Sequence, residues 1–502
     1  MKYYTALTIG PIYKSLELAH KTRELWAASY IFSWFIENVI QNLIKNGITD
    51  NNFIVPYPEK DKSKVTEAGI FPDRFILRSE SSLFDELNKS VNETINSLSN
   101  DISETIGENK GNVMEYLTNY IRLYTIETQL EENDNVVEKM NKYCANCELN
   151  SKYIPKDKQY FLNFLEKINE SNIYKRVYNK GRFPSIIELS TKDLPLDYDF
   201  FDSLGDEDDT DIWEKVVEKA KADEFFDSLK SVHKYIAIVQ ADGDNVGKLI
   251  KEIYSKNPEL IREFSKALSE FSIEAADEIN NSGGLTVYAG GDDLLFIASV
   301  LYKSENVFSL INKIDNIFNK IVLENSNLKK IIGSMKQKPS MSYGVSITYY
   351  KYPMNEALEQ ARKLLFDVAK ENKEEKNAIA WRVLMHSGSY FEGKFHKNTE
   401  FYQNFLKMSS IDDDKILTSV IYNIQSLKPL IKTIANDKSK LENYRKNFYN
   451  EQLHENYKDF LDYVVDIIHL AFNQNGSTTD KALDEVFSAL KLVKFINRKL
   501  HE

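Results

Sequence analysis

The sequence predicts an α+β protein in which two similar β-α-β-β-α-β passes are followed by a helical tail. Three observations carry this reading. Strand-like runs alternate with helical periodicity over residues 3–129, and the same alternation returns over residues 234–385. The final hundred or so residues keep the helical period and carry few strand signals. At 502 residues the chain is also too long for one ordinary core.

The first pass opens with YYTALTI (3–9), a strand closed by Gly10-Pro11. From Ile12 to Asn46 aromatic and aliphatic residues fall on one stripe, a helix that Gly47 stops. FIVPYP (53–58) and RFILRS (74–79) read as short strands, a long polar helix starts near Ser82, and IRLYTIETQ (121–129) closes a ferredoxin-like unit. CANC at 144–147 has the spacing of half a zinc knuckle, but there is no second Cys pair and no His between His20 and His233. Structural zinc takes four ligands, so zinc is not expected and CANC reads as a turn that has lost its metal. DYDFFDSLGDEDDTD (197–211) lacks the alternation of a calcium loop and reads as a solvated linker.

The second pass starts at KYIAIVQA (234–241). A helix follows to about Asn280, then a hairpin containing VYAGGDDLLFIASV (287–300), then a helix near 304–323. MSYGVSITYY (341–350) reads as a strand, MNEALEQARKLLFDVAKEN (354–372) as a helix and NAIAWRVLM (377–385) as a closing strand.

Composition excludes several classes. With 2 cysteines there is no disulfide framework. The N-terminus has no basic region leading into an apolar core, and no segment reaches the roughly 18 uninterrupted apolar residues of a membrane span. No membrane partner is expected, and the compartment is expected to be cytoplasmic. A net charge of −12 argues against a free nucleic-acid binder, because phosphate contacts need clustered Lys and Arg. Local basic surfaces remain open to a protein that works inside a complex.

The chemistry concentrates in the second pass. Adjacent carboxylates repel, and burying them unpaired costs several kcal/mol each, so Asp292-Asp293 is either a surface turn or a cation site. Asp242 lies 50 residues upstream, where an apolar strand meets a turn, a gap that holds a helix and one strand. Neighbouring strands would bring Asp242, Asp292 and Asp293 together, a set suited to one or two Mg²⁺ or Mn²⁺ ions, as in nucleotidyl transfer. Gly243 and Gly247 let backbone amides approach a triphosphate, and Asp244-Asn245 can cap the next helix, whose N-terminus favours anions. Lys248 stands one turn into that helix. Gly290 and Gly291 clear space for a ribose or base, and Lys370 can reach a γ-phosphate.

DGDNVGK (242–248), YAGGDD (288–293), SYGVSITYYKYPMNEALEQARKLLFDVAK (342–370) and HSG (386–388) resemble the second Palm domain of the large polymerase-cyclase subunit of type III-B CRISPR effector complexes, the Cmr complex. IGPIYKSLELAHKTRELWAASYIFSWFI (9–36) resembles that family's first Palm domain, and RFPSIIELS (182–190) the start of its inter-Palm region. The resemblance implies a first Palm domain over 1–140, an inter-Palm region with a degenerate zinc knuckle and acidic linker over 141–230, a second Palm domain over 231–390 and a C-terminal helical domain over 391–502. It implies a subunit that works with the other subunits of the complex, with guide RNA and with target RNA. When target RNA pairs with the guide, such a subunit binds ATP and links its α-phosphate to a ribose 3′-hydroxyl, giving a nucleotide second messenger. By carry-over Asp242, Asp292 and Asp293 hold the metals, and Lys248 and Lys370 serve the triphosphate.

The departures from the family are informative. Many relatives begin with an HD nuclease domain, but none of the seven histidines here is followed by Asp, so no DNase activity is expected. Where the family often has PNRF, this chain has FPDRF (71–75), which puts Asp73 and Arg74 in the acceptor pocket. A carboxylate there disfavours a second triphosphate and favours a cationic acceptor. Some members join AMP to S-adenosylmethionine instead of making cyclic oligoadenylate, and that acceptor carries the required charges. Asp73 capping a turn or pairing with Arg74 is the other reading. A catalytically silent scaffold subunit and a free-standing GGDEF-like cyclase are the alternatives for the whole chain.

Overall fold

The computed structural model describes residues 1–58, 67–131, 134–149, 159–178, 183–204, 212–372, 376–410, 414–449, 457–473 and 478–500. Two sheets organise it. The first contains β1 (Lys2–Gly10), β2 (Phe53–Val55), β3 (Arg74–Ser79) and β4 (Arg122–Leu130) in the order β2-β3-β1-β4, every neighbour antiparallel. Strand β1 is central because six consecutive residues, Tyr4 to Ile9, are buried, including Thr5 and Thr8.

The second sheet contains β5 (Tyr235–Asp244), β6 (Leu285–Gly290) and β7 (Asp293–Ser299). A two-residue-armed hairpin, β8 (Leu301–Tyr302) with β9 (Glu305–Asn306), stands beside it. Then come β10 (Ser340–Tyr349), β11 (Ala378–Leu384) and β12 (Tyr390–His396). The order is β12-β11-β10-β5-β7-β6, so β10-β5-β7-β6 repeats the arrangement of the first sheet. Both passes therefore have the predicted ferredoxin-like topology. Strand β11 adds parallel to β10 through a helical crossover, and β12 returns antiparallel along the edge.

Several boundaries differ from the expectation, each for a local reason. The first long helix is two, Ile12–Leu16 and Thr22–Lys45, because the Glu24 carboxylate accepts from the amides of His20 and Lys21 and restarts the chain there. The polar helix runs Phe84–Ile106 and stops at Gly107, whose φ of 73° is left-handed, before a second helix Lys110–Tyr120. CANC is not a turn. It lies in the last turns of the helix Val136–Glu148, with Cys144 buried and its thiol pushed up to about 11 by that burial. Of the acidic run, Tyr198–Ser203 forms a short helix capped by Asp197, and residues 205–211 lie outside the described residues. The expected helical tail starts instead with β12, whose exposed Tyr390 and polar outer face hide the strand alternation. The tail then forms six helices among the described residues, from Glu400–Ser409 to Thr479–Asn497.

The two sheets meet through the helices Thr22–Lys45 and Leu260–Asn281, both of which pack on β6. Polar ties cross the same boundary. Ala289 N donates to Gly69 O at 2.9 Å, Arg262 Nη1 to Asn51 Oδ1 at 2.8 Å, and Tyr13 O–H to Glu359 at 2.6 Å. No described helix is long and apolar enough to cross a membrane.

Candidate active site

Each carboxylate owes its position to a strand end. Asp242 and Asp244 end β5, and Asp292 and Asp293 form the turn from β6 to β7, which is hydrogen-bonded to β5. Gly291 makes that turn with φ of 70°. Gly243 has a packing reason to lack a side chain, since a Cβ there would meet the Asp292 carboxylate and Val246. The double aspartate thus leans over the end of β5.

The first domain supplies a further carboxylate. The loop 67–73 is tied down by Trp26 Nε1 donating to Glu67 O at 2.7 Å and by Phe71 N donating to Ser33 Oγ at 2.9 Å. It pairs with β6 at Gly69–Tyr288. This sets Asp73 close enough to Asp293 and Tyr288 for their charges to interact. Asp293 is raised well above the ordinary carboxylate range by burial in the cleft and then by Asp292 and Asp73. Its rim remains open to water, so the cleft crowds it without sealing it. Asp292 is raised by burial and then by Asp244, and Asp73 by burial, with Arg74 opposing. Tyr288 is pushed up by burial and by Asp293, Asp73 and Asp292. Four carboxylates on three strand ends repel one another here.

Asp242 does not complete a cage with Asp292 and Asp293. Among the described residues, no three His, Cys, Asp or Glu side chains are drawn together in a way that could hold a metal ion. Mutual repulsion separates the carboxylates, and Asp242 takes the nearest cation, the Lys370 ammonium, which is also 3.4 Å from Asp244 Oδ1 and donates to Gly243 O at 2.9 Å. Burial and then the Lys376 ammonium push Lys370 down to about 7, while its contact with Asp242 pulls the other way.

The remaining sequence-predicted residues divide. Asn245, with φ of 58°, occupies the N-cap of the helix Val246–Lys256, yet neither it nor Asp244 gives that helix a side-chain cap. Asn245 Nδ2 donates to Lys338 O at 3.1 Å instead. Asp244 is fully buried, and its Oδ2 accepts from Ser340 Oγ, Ser342 Oγ and Asn377 N at 2.9, 2.7 and 3.0 Å. Gly247 faces open space at the helix start, and Gly290 lies against the Tyr288 ring. Lys248 is hydrogen-bonded to Gln337, away from the aspartates. Arg74 does not pair with Asp73. It grips Glu148 through two nitrogens at 2.7–3.1 Å, with Thr8 also on that carboxylate.

Sequence reasoning missed Tyr288, Ser340, Ser342, Asn377 and Glu148. Ser340 and Ser342 did carry a signal: polar residues two apart in an apolar strand share one face, and here that face meets Asp244.

Residues 4–105 match the family model described as "CRISPR-associated protein Cmr2, N-terminal", and residues 235–380 match "Cas10/Cmr2, second palm domain". A curated relative, the CRISPR system Cmr subunit Cmr2 of Pyrococcus furiosus, is 32% identical over 207 residues, a match covering 35% of this chain and only 22% of that protein. Among solved structures, the type III-B Cmr-beta complex bound to cognate target RNA aligns with a TM-score of 0.55 at 12% identity, covering 89% of this chain and 78% of that one. Its apo state gives 0.53 at 12%, over 86% and 75%. A Csm1-Csm4 cassette in complex with pppApA gives 0.51 at 11%, over 99% and 69%. At these identities the likeness to solved structures is one of fold. The two matched domains occur in order, each on one of the two ferredoxin-like sheets, and the chain belongs to the Cas10/Cmr2 family.

Proposed function

We propose that the chain is the nucleotidyltransferase subunit of a type III-B effector complex, activated when target RNA pairs with guide RNA in that complex. The observation that carries the reading is the crowding of Asp73, Asp244, Asp292 and Asp293 at one cleft with raised carboxylates. Such a cluster costs stability unless a cation relieves it. Asp242, Asp292 and Asp293 are the residues to hold Mg²⁺, and the donor set is all oxygen, as that ion requires. When bound, the ion stabilises charge on the attacking and leaving oxygens of an in-line displacement.

The protein residues do the rest. Glycines at 243, 290 and 291 let ATP lie against the backbone, and the start of the helix Val246–Lys256 presents amide groups to its phosphates. Lys370 exchanges Asp242 for the triphosphate, and Lys248 adds charge from the same helix. The acceptor's 3′-hydroxyl attacks the α-phosphorus, the bond to the β-phosphate oxygen breaks, and pyrophosphate leaves. Asp73 faces this cleft from the other domain, where a carboxylate suits a cationic acceptor such as S-adenosylmethionine better than a second ATP.

The test is mass spectrometry of products formed from ATP by the assembled complex, with and without target RNA and S-adenosylmethionine. An AMP conjugate of S-adenosylmethionine that requires target RNA is the expected result. Cyclic oligoadenylate from ATP alone would retain the transferase and refute the acceptor. No adenylyl product under any condition would leave a scaffold.

A further inference from the structure

A cavity of about 490 Å³ opens beyond the end of β5, lined by Asn245, Asp315, Lys336, Lys338, Lys376 and Lys397 among others. None of Asp242, Asp292 and Asp293 lines it. Asp244 stands between the two places, since it accepts from Ser340 and from the Asn377 amide, both in the cavity wall.

The electrostatics of this wall are the reverse of the protein's. Four lysines face one aspartate, in a chain whose net charge is −12. The floor is neutral: buried Lys397 donates to Asp315 Oδ1 and Oδ2 at 2.7 and 2.6 Å, beside the Tyr343 ring. That leaves Lys336, Lys338 and Lys376 as the excess charge. Lys336 and Lys338 are exposed and enter no ion pair among the described residues.

The rest of the lining is carboxamide. Asn312, Asn316, Asn319 and Asn398 bring donors and acceptors together, with the Phe318 and Met341 side chains as the apolar part. Lysines as point charges bind phosphate, carboxamides bind base edges and ribose hydroxyls, and the volume falls in the usual range of about 300–1,000 Å³ for small-ligand sites.

We propose that this cavity is a second ligand site, which takes a polyphosphate-bearing nucleotide independently of the aspartate cluster. An enclosed pocket of this size fits one nucleotide and not a nucleic-acid duplex.

Equilibrium binding of radiolabelled ATP to the full chain in EDTA tests it, because chelation silences divalent-dependent binding at the aspartates. Saturable binding is expected, weakened about tenfold or more in Lys336→Glu with Lys338→Glu. It should be unchanged in Asp292→Asn with Asp293→Asn. Unlabelled tripolyphosphate should compete less well than ATP, and adenosine should not compete. Absence of saturable binding, equal competition by adenosine, or full binding in the lysine variant would overturn the proposal. Both lysines are exposed, so their loss should not unfold the chain, and an unchanged melting temperature verifies that. Loss of binding in the aspartate variant alone would assign the signal to the transferase site and refute a second one.

Discussion

At the scale of single residues, the aspartates oppose folding and serve the cleft. A carboxylate whose folded pKa is raised costs nothing below its ordinary value, and the full penalty applies above the raised one. Replacing Asp292 and Asp293 by Asn should therefore raise the melting temperature at pH 7 without divalent ions, and the gain should vanish towards pH 4. Added Mg²⁺ should stabilise the wild type and not the variant, which should also release no pyrophosphate. Thermal scans over pH, with and without Mg²⁺, check each part, and full turnover by the variant would reject the assignment.

Asp193 works in the other direction. Its Oδ1 accepts from the Lys303 amide at 2.5 Å, and His233 Nε2 lies 3.6 Å from Oδ2, beyond a hydrogen bond but within Coulomb range. His233 first, with the Lys303 amide, holds Asp193 below the usual carboxylate range. The stability it contributes is complete above the ordinary Asp value and is lost as pH falls through the lowered one. Asp193→Asn should cost about 1.5 kcal/mol at pH 7. Urea melts should show that deficit shrinking as pH drops from 6 towards 3.

At the scale of elements, the legible parts were those with strong periodicity. Strand β5 was readable from KYIAIVQA and the hairpin from its paired glycines and aspartates, because apolar runs broken by turn residues leave few alternatives. The convergence of the two on one site followed from spacing alone. Strand β12 was not readable, since an edge strand with one solvated face alternates weakly and its partner is fixed only by β11. The split of the first helix at Glu17–Lys21 depended on a carboxylate three residues ahead, a signal present in the sequence as Thr22-Arg23-Glu24 but overridden by the apolar stripe. Asp242's turn towards Lys370 was unreadable for another reason: it depends on where a crossover helix 128 residues later comes to rest.

At the scale of the whole molecule, the site is divided. Asp73 belongs to the first sheet's domain and the paired aspartates to the second, held together by Gly69–Tyr288 and the helices on β6. A prediction follows for the acceptor. Asp73→Asn should weaken use of S-adenosylmethionine about tenfold or more, as loss of a charge-assisted contact implies. Transfer between two ATP molecules should hold or improve. If Asp73 only supports its loop, whose carbonyl accepts from Ile9 N at 2.9 Å, both acceptors should suffer alike and the melting temperature should fall. Product ratios from mixed acceptors, with a melt of the same variant, separate the two.

Lys370 is carried by a crossover that is not uniformly α-helical. The stretch Met354–Lys363 is α, but Leu364–Ala369 is a π-turn, and Gly344 beneath it has no Cβ because Ala361 O and Leu365 N press against β10 there. A π-turn stores one residue more than the α-turn it replaces. That spare residue sets the phase of everything after it. Removing exposed Phe366 should let the stretch relax to α-helix with little loss of stability, while rotating Lys370 by roughly 100° about the axis, one residue's share of a turn. The shortened chain should melt near the wild type, yet show a KM for ATP raised severalfold because its ammonium no longer reaches the end of β5. An unchanged KM would mean that the lysine's azimuth is set by Asp242 and not by the helix that bears it.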